Sequence, residues 1–403
     1  MSVSVGVGRR VALWRVQRRM TQQVFADRIG RSKSWVEKVE RGVRRLDRFS
    51  LIQQVAEVLR VDPAELLGTD RPSETDKVAA GVSAVRAALA SYEVFAADSP
   101  DPKSDTGEVG RWVEHAWSTY RHGDYPRLLR MVPDLLNVAR QLHSARPSAG
   151  AGPLVQAYRV TAQVLVKVGE AELAWLAADR ALATAGSDRL LAASAVVPLG
   201  QALRGLNQGR LAMAATIAAA DRIAASTGPG NSPEHRSVYG TLLLQAGLAA
   251  AACGETHSVG ELLGQAAGVG ARIGVGQDFR TASFGPAAVE LAHVVAAVEL
   301  GDARQAVRRN ETASRRHPWQ GLPAEHRAAY LVDAARAHLE IGDFPGAGRW
   351  LVEADRVAPA EIRYRPSART VVGEVARCGP QVAGVARLAT ALGLMKSGVE
   401  LLV

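Results

Sequence analysis

The sequence predicts an all-α protein in two parts, a small N-terminal helical domain followed by a long α-solenoid. Three observations carry that prediction. Residues 21–42 place two short amphipathic helices around a glycine turn. From about residue 108 onward, glycine-centred turns recur at spacings of 46, 40, 45, 47 and 41 residues. Alanine dominates between those turns, and the apolar–polar alternation of a strand is rare.

The first part is read from TQQVFADRIGRSKSWVEKVERG, residues 21–42. Thr21 is placed to N-cap a helix whose apolar side is Val24, Phe25 and Ile29. Ala26 falls where two helices cross, because only a small side chain lets them approach. Gly30 falls at the turn, where a left-handed backbone favours glycine. Ser32 then N-caps a second helix with Val36 and Val39 facing inward and Lys33, Ser34, Trp35 and Lys38 facing out. An ordinary helical hairpin shows the same spacing, so the flanks matter. Upstream, GRRVALWRVQRRM is a basic amphipathic helix with Val11, Leu13 or Trp14, and Val16 available for a core. Downstream, Phe49, Ile52, Val55, Ala56 and Leu59 keep helical spacing, and Asp62-Pro63 opens a fifth short helix. This domain is expected over residues 1–70.

Charge is concentrated in the same place. Residues 1–68 hold 14 Lys/Arg against 7 Asp/Glu, which is +7 of the whole chain's +9. A helix of this size fits the DNA major groove, and a local basic excess suits phosphate neutralisation.

Residues 9–68 resemble the lambda-repressor-like, Xre-type helix-turn-helix domain. The resemblance rests on Gln22, Ala26, Gly30, Ser32, Val36, Val39, the run Glu40-Arg41-Gly42 and the ending from Val61 to Leu67. It implies a double-stranded DNA operator as partner. Gln22 would touch a phosphate, Lys33, Ser34 and Lys38 would reach base edges, Arg41, Arg44 and Arg45 would grip the backbone, and Ser32 at the helix start belongs to the same DNA-binding set. Trp35 departs from the small polar residue of that pattern. It is assigned to a thymine methyl or sugars, or to neighbouring protein.

A linker with one helix, VAAGVSAVRAALASYEVFA, is expected within residues 71–107. Proline, glycine, serine and aspartate cluster at residues 69–76, 98–107 and 144–152 and mark irregular segments. The array is expected over residues 108–403, with turns at Gly123, Gly169, Gly209, Gly254, Gly301 and Gly342. Such a period marks helical pairs that bury their faces against neighbouring pairs. Tyr125 and Phe344 after Gly-Asp, with small residues at crossings, resemble tetratricopeptide repeats, although the period is longer than theirs and would also fit HEAT-type pairs.

The whole layout resembles regulators that join an Xre-type domain to a tetratricopeptide-like array. These include peptide-pheromone sensors of Gram-positive bacteria and a large actinobacterial group. Residues 283–302, 330–343 and 358–372 resemble the actinobacterial group, which leads one to expect an asparagine where this chain has Ala288. The resemblance implies a homodimer that senses a peptide or small-molecule effector. The first helices of the pairs would line the inner surface, which points to Gln201, Arg204, Tyr239, Gln245, Glu290 and His293 as effector-binding residues. Glu290 and His293 lie one turn apart in an apolar helix and suit either a ligand contact or a structural hydrogen bond. Arg327, Asp333 and Arg336 form a further polar set.

Other classes find little support. GVGARIGVG, residues 268–276, lacks dinucleotide-loop spacing and follows no strand. The nine histidines are scattered, and Cys253 and Cys378 have no ligand spacing, so no catalytic residue, metal or cofactor is expected. The N-terminus lacks an apolar signal core, and the 18-residue uncharged run Ser237–Gly254 reads as a buried helix rather than a membrane span. A cytoplasmic transcriptional regulator is the expectation. The alternative is a protein–protein interaction scaffold that titrates or recruits a partner, with DNA binding secondary.

Overall fold

The computed structural model describes residues 7–44, 46, 49–61, 63, 66, 74–91, 105–225, 232–272, 284–316, 321–379, 382 and 384–394. No strand occurs among them. The chain divides into two compact units, Met1–Lys77 and Val78–Val403.

The first unit holds α1 (Val7–Gln17), α2 (Gln22–Arg28), α3 (Lys33–Glu40) and α4 (Phe49–Leu59). Both expected caps form: the Thr21 hydroxyl accepts from Val24 N–H and the Ser32 hydroxyl from Trp35 N–H, each at 3.2 Å. Gly30 sits at φ +63 between α2 and α3. The core gathers Val11, Phe25, Ala26, Ile29, Trp35, Val36, Val39, Ile52, Val55, Ala56 and Leu59. Two expectations are corrected. On α1 the inward set is Val7, Val11 and Trp14, while Leu13 is 64% and Val16 63% exposed. That set follows i, i+4, i+7 spacing, which Leu13 and Val16 break. On α2, Val24 is 42% exposed, because Phe25, Ala26 and Ile29 already fill the buried side. Most of the expected fifth helix lies outside the described residues, although Leu66 is buried in this core and its carbonyl accepts from Arg10 Nε at 2.9 Å.

Helix α5 (Glu74–Ala90) begins in the last residues of the first unit and continues into the second. Its Val78, Val82, Val85 and Leu89 are buried in the first core of the array, so this linker helix packs on the array. Arg140 fastens its end by donating to the carbonyls of Ala88 and Ser91 at 2.7 and 3.1 Å. Six antiparallel pairs follow: α6 (Thr106–Arg121) with α7 (Tyr125–Ala145), α8 (Pro147–Lys167) with α9 (Ala171–Ala185), and α10 (Arg189–Gly205) with α11 (Gly209–Ala224). Then come α12 (Pro233–Ala252) with α13 (Thr256–Gly270), α14 (Pro286–Glu299) with α15 (Ala303–Arg316), and α16 (Ala324–Glu340) with α17 (Phe344–Val357). Three shorter helices, α18 (Pro359–Tyr364), α19 (Pro366–Cys378) and α20 (Val385–Ala391), close the described chain.

Five of the six turns within pairs put the expected glycine at positive φ: Gly123, Gly169, Gly254, Gly301 and Gly342. The third is corrected. There Asn207 takes the left-handed position at φ 59, and Gly209 is the first residue of α11. A Cβ on Gly209 would lie 2.7 Å from Cys253 Sγ, so its smallness serves packing rather than the turn. Residues 144–152 are corrected as well. They are a sharp helix-to-helix corner, with α7 ending at Ala145 and Pro147 starting α8.

At that corner a Cβ on Gly150 would lie 2.5 Å from His143 Cα and 2.6 Å from its backbone nitrogen. Backbone atoms cannot yield as a side chain can. Gly150→Ala is therefore expected to destabilise the protein by about 1–3 kcal/mol or more, read as a lower urea midpoint. An unchanged midpoint would show that α7 and α8 are not so close.

Consecutive helices pack on each other, and in addition α6, α8, α10, α12, α14 and α16 each touch the next in that series. The first helices of the pairs thus form an inner layer and the second helices an outer one. The inner layer closes on itself, because α16 also touches α6. All of the run Ser237–Gly254 but its last two residues lies in α12, whose Leu242, Leu243 and Ala246 lie in the array core. No helix among the described residues is long and apolar enough to cross a membrane.

Candidate nucleic-acid interface and central cavity

In the first unit the outward face of α3 carries Lys33, Ser34 and Lys38, all exposed, with Glu37 half-buried beside them. Arg41 follows at the end of the helix, 3.8 Å from Glu37, a surface pair of little energetic weight. Arg44 is exposed, and its N–H reaches back to the Lys38 carbonyl at 3.0 Å, so the turn after α3 carries it beside that face. Arg45 lies outside the described residues. Ser32, at the exposed start of α3, uses its hydroxyl oxygen as the cap.

Two expected members stand differently. Trp35 is only 9% exposed and belongs to the core, with the Arg31 guanidinium 5.8 Å from its ring centre. It shares the i, i+4 inward side of α3 with Val39, and a side chain that large fills space between helices. Gln22 is held within the protein: its Nε2 donates to Glu40 Oε2 at 2.8 Å. Arg15 forks onto the same carboxylate at 2.6 and 3.0 Å and also donates to the Met20 carbonyl. Glu40 thereby ties the end of α3 to α1 and to the start of α2 through charge-assisted bonds.

In the second unit the closed inner layer surrounds a cavity of about 310 Å³. Of the six expected effector residues, Gln201, Arg204 and Gln245 line it. Arg204 donates to Gln245 Oε1 at 2.9 Å across α10 and α12. Tyr239, Glu290 and His293 do not line it. On α12 the lining residues are Thr241, Leu244, Gln245 and Leu248, and on α14 Ala288, Leu291, Ala292 and Val295. At 100° per residue those sets put Tyr239, Glu290 and His293 on the far sides of their helices. The expectation of one six-residue surface is thus corrected to three. His293 faces Arg309 and Glu290, and burial and Arg309 together hold its pKa below the ordinary histidine value.

The same cavity brings together groups that sequence reading missed. Lys167 Nζ on α8 lies 2.8 Å from Glu325 Oε2 on α16 and 2.7 Å from Glu361 Oε1 on α18. Glu361 is completely buried and also accepts from Tyr125 Oη on α7. Arg365, between α18 and α19, lies 3.1 Å from Asp333 and donates to the Ala329 carbonyl. Burial lowers the pKa of Lys167, but Glu325 and Glu361 more than offset it, so the ammonium is held charged. Burial pushes the Asp333 carboxyl up against the pull of Arg365. The Tyr125 hydroxyl is pushed well up by burial and by Glu361 beside it, so it stays protonated and donates. This network joins the first pairs to the last. A signal for part of it existed: polar residues recur one turn apart at the same stage of successive inner helices, as Gln163/Lys167, Gln201/Arg204 and Thr241/Gln245.

No curated protein matches the chain. Among solved structures, PlcR of Bacillus thuringiensis, in complex with the peptide PapR7 and DNA, is similar at 13% identity and TM-score 0.38, over 76% of this chain and 93% of that one. Aspartyl phosphate phosphatase F from Bacillus subtilis is similar at 11% identity and TM-score 0.43, over 91% and 97%. BtubC from P. vanneervenii is similar at 18% identity and TM-score 0.38, over 64% and 94%. Residues 7–67 match the family described as helix-turn-helix domain. With the capped α2–Gly30–α3 geometry and its outward polar face, the N-terminal unit is a helix-turn-helix domain.

Proposed function

We propose that the protein is a sequence-specific, DNA-binding transcriptional regulator whose array dimerises and senses a small-molecule or peptide effector. The observation that carries the DNA half is the outward face of α3. A buried Trp35–Val36–Val39 side locks the helix in place, and Lys33, Ser34 and Lys38 stand free on the other. Such a helix enters the major groove, its long donors reach base edges, and Arg41, Arg44 and Arg45 neutralise phosphates. A dimer would set two such helices about 34 Å apart on half-sites one helical turn apart. The sensory half rests on the closed array and its cavity. An effector that favours one geometry of the array shifts the population of DNA-competent dimers, whereas one with equal affinity for both shifts nothing.

The test is operator selection from random DNA followed by affinity measurement. Lys33→Ala and Lys38→Ala are each expected to weaken the selected operator by about 1–3 kcal/mol and to relax its sequence preference. Arg44→Ala is expected to weaken all sequences alike and to flatten the salt dependence. Unchanged affinity in the Lys33→Ala, Lys38→Ala double variant would remove α3 from the groove.

A further inference from the structure

Three cations, Lys167, Arg204 and Arg365, and three carboxylates, Glu325, Asp333 and Glu361, stand in or beside the central cavity, but they do not pair one to one. Lys167 faces Glu325 and Glu361, and Arg365 faces Asp333. Arg204 forms no ion pair among the described residues. It donates to the neutral Gln245 amide, and its buried Nε has no acceptor among the described residues. The negative charges that act on it most are Glu299 and Asp333, and each is held by another arginine: Glu299 by Arg336 at 2.8 Å and Asp333 by Arg365 at 3.1 Å. One turn back on α10, Gln201 Oε1 is also buried without a donor.

A guanidinium withdrawn from water without a carboxylate is costly, and an anion at its free edge removes that cost. Burial lowers the Arg204 pKa from its ordinary value, and Glu299 and Asp333 only partly restore it. One side of the wall is apolar, with Val166, Val197, Leu244, Leu248, Leu291 and Val295, while Gln163, Thr241, Glu325, His326 and Tyr330 make the remainder polar. A volume of about 310 Å³ is at the small end of ligand pockets. It has room for one small molecule rather than an extended peptide. A phosphate dianion would call for a second uncommitted cation, and Lys167 and Arg365 are both engaged.

Building on the sensory reading above, we infer that the cavity binds a small organic carboxylate. Its carboxylate is forked by Arg204, which Gln245 orients, and its apolar body lies against α10, α12 and α14. Gln201 Oε1 accepts from a hydroxyl or amide N–H next to the carboxylate where the ligand has one.

The test uses the full-length protein and calorimetric titration with octanoate and phenylacetate, against octan-1-ol, octylamine and octyl phosphate. At least one acid is expected to bind one per chain and to raise Tm, with the alcohol, amine and phosphate at least tenfold weaker. Arg204→Gln should weaken acid binding at least tenfold. Leu248→Trp, which fills the cavity without touching the charge, should abolish it, and serves if Arg204→Gln fails to fold. The inference is overturned if neither acid binds at millimolar concentration, if the alcohol or phosphate binds as tightly as the acid, or if both variants bind normally. Operator affinity with and without the acid is measured separately. Acid binding that leaves operator affinity unchanged supports the carboxylate site and sinks the sensory reading, so the two fail distinguishably.

Discussion

Replacing Lys167 with methionine is expected to destabilise the array by about 3–5 kcal/mol. The lysine bridges two carboxylates from the far end of the chain, and Glu361 has no access to water. Without the ammonium, two acids would face each other in a buried space already shared with the Tyr120 and Tyr125 hydroxyls, whose pKa values burial and then these carboxylates raise well above the usual. One carboxyl would then take up a proton, so its folded-state pKa would rise. A raised carboxyl pKa means that the folded variant binds protons the unfolded chain does not. Stability of the variant should therefore improve as pH falls and worsen as pH rises. Urea unfolding of the full-length protein at two pH values, followed by tryptophan fluorescence, measures both effects. Joint replacement of Lys167, Glu325 and Glu361 by apolar residues should recover part of the loss, since it removes the stranded charge but leaves the buried Tyr125 hydroxyl without its acceptor. A loss under about 1 kcal/mol in the single variant would mean that the bridge behaves as a surface pair.

Trp35→Ala is expected to cost about 3–5 kcal/mol in the helix-turn-helix unit without any DNA present. The indole sits among Phe25, Val36 and Val39, and truncation leaves a cavity next to the recognition helix. Hydrogen exchange in the full-length protein localises the effect: amides of α2, α3 and α4 should lose protection while those of the array keep theirs. Trp35→Phe should retain most of the protection. Normal protection in Trp35→Ala together with lost operator binding would instead return the side chain to the DNA surface.

These two sites also mark where sequence reading succeeds and where it stops. Caps and turns are local, so Thr21, Gly30, Ser32 and five of the six array turns could be read from a few neighbouring residues. Trp35 was misplaced because a short helix offers only two turns of periodicity, and the family pattern suggested a small polar residue there. Its i, i+4 relation to Val39 was the better guide. The inner helices were legible through their recurring polar residues, but their rotation was not. Gln201, Arg204 and Gln245 turned inward, while Tyr239, Glu290 and His293 turned away. An alanine-rich helix presents several nearly equivalent apolar sides, and neighbours on both flanks decide which one faces the centre. The meeting of Lys167 with Glu325 and Glu361 had no local signal at all. It depends on the curvature accumulated over the three helical pairs between α8/α9 and α16/α17.

That closure changes what kind of repeat protein this is. An open solenoid grows or shrinks by whole units, because each contacts only its neighbours. Here α16 rests on α6, and a seventh pair would have nowhere to go without parting them. The number of pairs is therefore fixed by geometry as it is in a ring of subunits. Loops between pairs can lengthen freely, yet duplication or loss of a pair should be tolerated far less well. Removal of the last helices should be felt at the first ones, as if a keystone had been drawn from an arch.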